Sequence, residues 1–173
     1  MICEVTLNHS EWATTHWNII RDSYSRAPHF NAYKDFFEHV YLGTKWQSLS
    51  ELNQFLIKNI ASQFLGMTTV FKDSREYSAT GQKLERLIDL VKQAKADVYV
   101  SGPAAKDYID ETRFREEGVA LKYKSYAGYP EYPQFYPPFE HAVSILDLLF
   151  QVGPNAPYFI WGWRQDNSAL GLP

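Results

Sequence analysis

The spacing of apolar residues changes character along the chain. Between Glu11 and Ala27, Trp12, Thr15/His16, Ile19/Ile20 and Tyr24 recur every three to four residues, with Ser10 as N-cap and Pro28 as stop. Asn31 to Leu42 predicts a second helix, with Tyr33, Phe36/Phe37, Val40 and Tyr41 on its apolar side and Gly43 at its end. A third begins at Ser48 or Ser50, carries Leu52, Phe55/Leu56, Ile60 and Phe64, and ends at Gly66. Beyond it, short β-branched runs alternate with helices. Thr68-Thr69-Val70-Phe71, Val98-Tyr99-Val100-Ser101 and Val119 to Tyr123 predict strands. Between the first two lie a polar loop, Asp73 to Gly81, and the cleanest amphipathic helix, Gln82 to Lys95. Between the last two, Ala104 to Glu117 predicts one or two short helices closed by Gly118. Glu4-Val5-Thr6-Leu7 reads as a further strand, with almost no run-in from Met1. Strand, helix, strand, helix, strand implies parallel pairing through right-handed crossovers. The expected fold class is α/β, a mostly parallel sheet flanked by helices in Rossmann-like layers.

Ser125 to Pro138 fits neither period. Pro130, Pro133, Pro137 and Pro138 are interleaved with Tyr126, Tyr129, Tyr132, Phe135 and Tyr136. Proline at that density forbids a helix or a central strand. An extended loop is expected, laying its rings over the carboxyl ends of the strands, where open α/β sheets bind ligands. Ala142 to Val152 then predicts a strongly apolar helix holding one acid, Asp147. Residues 154–173 are expected to be an irregular tail, and residues 1–173 one domain with no internal repeat or linker.

Composition changes the picture in three places. Aromatic residues make up 16% of the 173, more than one small core uses. Either they line a groove, or a partner, a second copy or a missing segment covers them. The formal net charge is −3 with no basic block, which argues against nucleic-acid binding. The single cysteine, Cys3, excludes an intramolecular disulfide and a cysteine metal cage. The five histidines, His9, His16, His29, His39 and His141, make no metal signature, so no metal is expected and no cofactor is assigned. No apolar signal region opens the chain and no stretch approaches a membrane span, so the expected location is cytoplasmic.

Several residues are candidates for chemistry. Asp147 sits in Ser144-Ile145-Leu146-Asp147-Leu148-Leu149-Phe150. Such an acid must be paired, hydrogen-bonded or facing a pocket. It is either a structural anchor for a nearby loop or a catalytic base, and Ser144 can share its face. Arg86 opens the cleanest helix beside Gly81, where an anion could sit, or is an ordinary surface charge. Tyr132 and Gln134 offer a ring and an amide suited to sugar hydroxyls, unless the loop is a lid packed down for stability. Ser101 and Gly102 end the central strand. The flanking Gly-x-Ser-x-Gly pattern is absent, so Ser101 is a ligand contact or a helix cap rather than a nucleophile.

Taken together, these segments resemble the WbqC-like family. The resemblance is carried by Tyr24 with Ala27-Pro28-His29-Phe30, Leu84-Glu85-Arg86-Leu87-Ile88, Val98 to Tyr108, Phe114 with Gly118-Val119, Tyr132-Pro133-Gln134 with Phe139, and Ser144 to Phe150. It runs from about residue 4 to about residue 153. Members of that family usually begin with a further segment bearing Gln-Pro…Tyr-Leu-Pro, Asp-Asp-Val-Gln and Asn-Arg-Asn elements. None of these occurs here, so an N-terminally shortened chain is expected. The resemblance implies a transferase that moves a glycyl, aminoacyl or acyl group to an amino sugar in O-antigen or surface-polysaccharide biosynthesis. Its partners would be a nucleotide-linked or lipid-linked amino sugar and an aminoacyl or acyl donor. Asp147 would be catalytic, and Arg86, Ser101, Gly102, Tyr108, Tyr132, Gln134 and Ser144 would bind substrate. The alternative is a non-catalytic binding or scaffold module of the same system. An ATP-dependent ligase has less support, because no glycine-rich phosphate loop is present.

Overall fold

The computed structural model describes residues 2–7 and 11–163. His9 and the expected helix cap Ser10 lie outside them, as does the tail after Trp163. In chain order the helices are α1 (Glu11–Tyr24), α2 (Phe30–Glu38), α3 (Leu49–Asn59), α4 (Lys83–Gln93), α5 (Glu111–Glu116) and α6 (Ile145–Val152). The strands are β1 (Val98–Ser101) and β2 (Ala120–Tyr123). Two compact units result, one of Met1–Thr69 with Tyr129–Pro173 and one of Val70–Gly128.

The first unit is built on α6. Its Leu149 and Phe150 are fully buried. Rings from α1 and α2 surround Phe150: Tyr24 at 5.2 Å, Phe30 at 5.3 Å, Phe37 at 5.6 Å and Tyr33 at 6.4 Å between centroids. Tilted and edge-on pairs of this kind add to the burial of the rings themselves. The His29 N–H donates to the Phe150 carbonyl at 3.0 Å, fixing the start of α2 against α6. Just past α6 the chain turns at Gly153, whose φ is +57°. A Cβ there would lie 2.4 Å from His29 Nδ1. Gly153→Ala therefore meets both backbone strain and a clash. It is expected to lower stability by about 2 kcal/mol. Chemical denaturation of the variant with an unchanged midpoint would contradict this packing.

Ser48 caps α3 as expected, its Oγ accepting the Glu51 N–H at 3.1 Å. Both α2 and α3 run on into single π-helical turns, His39–Gly43 and Ile60–Phe64. Glu4 to Leu7 departs from the expected strand. Ile2–Glu4 is a 3-10 turn, and Thr6 makes an isolated antiparallel bridge to Ser48. The ladder cannot lengthen because the partner segment enters α3 at Leu49. The tail is less irregular than expected as far as Gly162. Gly153–Asn155 is a 3-10 turn and Tyr158–Gly162 a π turn, with Ala156 fully buried beside α6.

The second unit holds the sheet. β1 and β2 pair in parallel, with Val98 opposite Ala120 and Ser101 opposite Tyr123. The connection contains the 3-10 turn Pro103–Asp107 and α5, in agreement with the expected short helices. Ile88 and Val91 of α4 pack with Ala105, Ile109, Phe114 and Val119, and Tyr99 stacks on Phe114 at 5.3 Å. Arg113 on α5 grips Glu85 on α4 through two bonds of 3.1 and 3.0 Å. The described sheet has two strands, because Thr68 to Phe71 does not form a third. That run finds no neighbouring strand, and Val70 is 76% exposed. β-branched composition favours a pleated surface only where one exists to join.

Candidate functional site

Residues 124–144 contain neither helix nor strand, as their prolines require. The segment is nonetheless tied down, and Asp147 is what holds it. Ser144 caps α6, its Oγ accepting the Leu146 N–H at 3.3 Å and its carbonyl accepting the Asp147 N–H at 3.0 Å. This puts the Asp147 carboxylate in the first turn, where a helix favours negative charge. Asp147 is only 7% exposed. Its Oδ2 accepts the Tyr132 hydroxyl at 2.8 Å and the Gln134 Nε2–H at 3.0 Å. The Tyr24 hydroxyl, from the end of α1, also hydrogen-bonds to it.

Gln134 continues the network. Its Nε2 donates to the Glu140 carbonyl at 3.0 Å, and its Oε1 accepts the Glu140 N–H at 2.9 Å. The side-chain amide thus pairs with a backbone amide as a neighbouring strand would, folding the loop back on itself. Glu140 then accepts the Ala142 N–H at 2.7 Å. The Tyr132 ring meets Phe139 and Phe159 edge-on at 4.9 and 5.5 Å, and Phe139 meets the His141 ring at 4.7 Å.

The two phenols respond to this setting. Burial, then the charge and hydrogen bond of Asp147, push the Tyr24 hydroxyl up to about 12. Tyr132 moves in the same direction, by burial first and then by its bond to Asp147. An ordinary tyrosine titrates near about 10. Below that value both states are neutral and the folded state keeps the whole benefit. Between about 10 and about 12 the unfolded phenols ionise while the folded ones resist, so stability falls. The expected result is a steep loss of thermal stability across that window. Ultraviolet titration of the folded protein is expected to show late-ionising tyrosines, and all tyrosines ionising together near about 10 would contradict it.

Side chains from the loop and from α1 converge on this one carboxylate, and both loop donors, Tyr132 and Gln134, bind the same oxygen. The arrangement suits Asp147 to positioning the loop. The structure brings Asp147, Tyr132, Gln134 and Ser144 together, all within the first unit. The other expected site residues lie in the second unit. There Arg86 donates to the Ala79 carbonyl across the loop before α4. Ser101 ends β1 and accepts the Lys124 N–H at 2.8 Å, and Gly102 starts the turn that leads to Tyr108, which is 76% exposed. A Cβ at Gly102 would lie 3.9 Å from the Tyr126 hydroxyl. Two members of the Asp147 cluster are absent from the sequence-based set. Tyr24 reads as one more ring of an apolar stripe, and Glu140 takes part through its backbone, which no side-chain pattern announces. Among the described residues, no group of three or more His, Cys, Asp or Glu could hold a metal ion, and no helix is long and apolar enough to cross a membrane.

The profile of the WbqC-like protein family matches residues 1–158. The chain belongs to the WbqC-like protein family. It is 41% identical over 164 residues to the uncharacterized protein Rv1507c of Mycobacterium tuberculosis, a match covering 95% of this chain and 71% of that protein. No solved structure matches it significantly. In this WbqC-like chain, Tyr132-Pro133-Gln134 and Ser144-Ile145-Leu146-Asp147 turn out to be the two halves of one hydrogen-bonded cluster.

Proposed function

We propose that this WbqC-like protein is a transferase. It moves a glycyl, aminoacyl or acyl group onto an amino sugar during O-antigen or related surface-polysaccharide assembly, in the cytoplasm. The acceptor is a nucleotide-linked or lipid-linked amino sugar, and the donor an activated ester or thioester. Family membership supports the class of reaction. One observation carries the site: the Gln134 amide is used inside the loop, on Asp147 and on the Glu140 backbone. That makes the segment a preformed platform, and preformed sites lose less entropy on binding. Groups left open to ligand include the Tyr136 ring, 74% exposed, and the exposed His141 imidazole. Tyr136 offers a face for the C–H side of a sugar ring. His141 serves as general base. The amine nitrogen attacks the donor carbonyl carbon, forming C–N while C–O or C–S breaks. His141 takes the amine proton and returns it to the leaving group. Tyr132, Gln134, Ser144 and Asp147 are positioning residues in this scheme. On the second unit, Arg86, Ser101, Gly102 and Tyr108 are assigned to a phosphate-bearing ligand, Arg86 having further donors beyond the one given to Ala79.

The test is mass spectrometry of a nucleotide-linked amino sugar incubated with the protein and a glycyl thioester. A product heavier by one glycyl group is expected, with turnover reduced about a hundredfold in His141→Ala. No product, together with no thermal shift by either ligand, would overturn the transferase reading. That result would favour a docking module, which the exposed Tyr108, Tyr126 and Tyr136 also suit.

A further inference from the structure

The residues just before Asp147 border a cavity of about 460 Å³ in the first unit. That lies within the roughly 300–1,000 Å³ typical of small-molecule sites. One wall is a row along α3 and the π turn after it: Asn53, Leu56/Ile57, Ile60/Ala61 and Leu65. At about 1.5 Å per residue this row runs roughly 18 Å, so the space is long and narrow. Tyr41 faces it from the other π turn, and Ser144 from the start of α6. Single π turns concentrate at functional sites, and here both of those that extend α2 and α3 contribute wall. Ile57 lines the space and stays 58% exposed. Asn53, Ser144 and the hydroxyl-bearing Tyr41 are the polar residues of the lining. Ser144 Oγ already accepts the Leu146 N–H, which leaves its O–H free to donate.

We infer that this cavity binds a single hydrocarbon chain with a hydrogen-bonding end, the chain lying along the α3 row and its polar end reaching Asn53 or Ser144. Taking about 30 Å³ for each carbon-sized unit, the space of about 460 Å³ holds roughly fifteen carbons. The walls contain no charged residue to recognise an ionic headgroup, so chain length and shape set selectivity. This assignment does not rest on the transferase reading.

The test uses the purified full chain and the fluorescent probe dansyl-undecanoic acid, kept below its micelle-forming concentration. Saturable binding of one probe per chain is expected, with displacement by dodecanol. Competition by dodecanoic acid against farnesol separates an acyl source from an isoprenoid one. Ile57→Glu places a charge in the wall at a position already exposed, so folding is retained. It is expected to weaken probe binding about tenfold. Ala61→Trp fills the cavity and is expected to abolish binding. If that variant does not fold, Ile57→Glu decides alone. Absence of saturable binding, or equal affinity of the wild type and a folded Ile57→Glu protein, would overturn the assignment. Failure of glycyl transfer would leave it standing.

Discussion

Phe150→Ala is expected to remove about 4 kcal/mol from the stability of the first unit, within the range for a large ring lost from a packed core. Phe150 is fully buried, and its ring lies within 6.4 Å, centroid to centroid, of four others. Those rings come from α1 and α2, whose backbones are fixed by their own turns and by the His29 bond to the Phe150 carbonyl. They cannot all close in on the space an alanine would leave. The cavity term therefore adds to the lost transfer energy. All five tryptophans, Trp12, Trp17, Trp46, Trp161 and Trp163, belong to the first unit. Their fluorescence during denaturation reports this unit directly. Phe150→Leu keeps much of the volume and is expected to lose less than half as much. Equal losses for the two variants would mean that the space collapses freely, contrary to this account.

Asp147→Ala is the second large effect, and it works by a different route. The variant loses little apolar contact but strips the acceptor from the Tyr24 and Tyr132 hydroxyls and the Gln134 amide. A buried donor left without a partner costs about 1–3 kcal/mol. Tyr24 and Tyr132 are only partly buried and can reach some water, so the expected total is about 3 kcal/mol. The corresponding fall in melting temperature is about 9 °C for a chain of this size. The loss is also expected to be local. The segment from Tyr132 to Ala142 has no ladder of its own, so its amide protons are expected to exchange much faster in the variant. Those of α4 and β1 in the second unit are expected to keep their rates. Uniform acceleration in both units would contradict a role confined to the loop.

Much of the fold was legible because periodicity is a direct consequence of burial. The stripes of Tyr33 and Phe37, and of Leu84, Ile88 and Val91, can be satisfied only by amphipathic helices, and α2 and α4 lie where those stripes are. Val98 to Ser101 and Ala120 to Tyr123 form the expected parallel pair. Thr68 to Phe71 has the same composition and no partner, which shows what a local pattern lacks: it records a preference for a sheet, not the existence of a neighbour. The π turns were illegible for a related reason. One extra residue in a helical turn leaves the stripe of Tyr41 or Ile60 nearly unchanged. For the site, a lone acid amid Leu and Ile does announce that partners must exist, because an unpaired buried charge is too costly. It cannot say that one of them is Tyr24, far away along the chain. Gln134 shows the converse. Its amide has the chemistry to bind a sugar, and in this fold the same donors and acceptor close the loop onto Glu140.

The bond between Tyr132 and Asp147 joins the proline-rich segment to α6. The most direct measurement is a double-mutant cycle on Tyr132→Phe and Asp147→Asn, followed by tryptophan fluorescence in denaturant. A coupling energy of about 1–2 kcal/mol between the two positions is predicted. Additive losses, with coupling within about 0.3 kcal/mol of zero, would mean that Asp147 does not hold the loop.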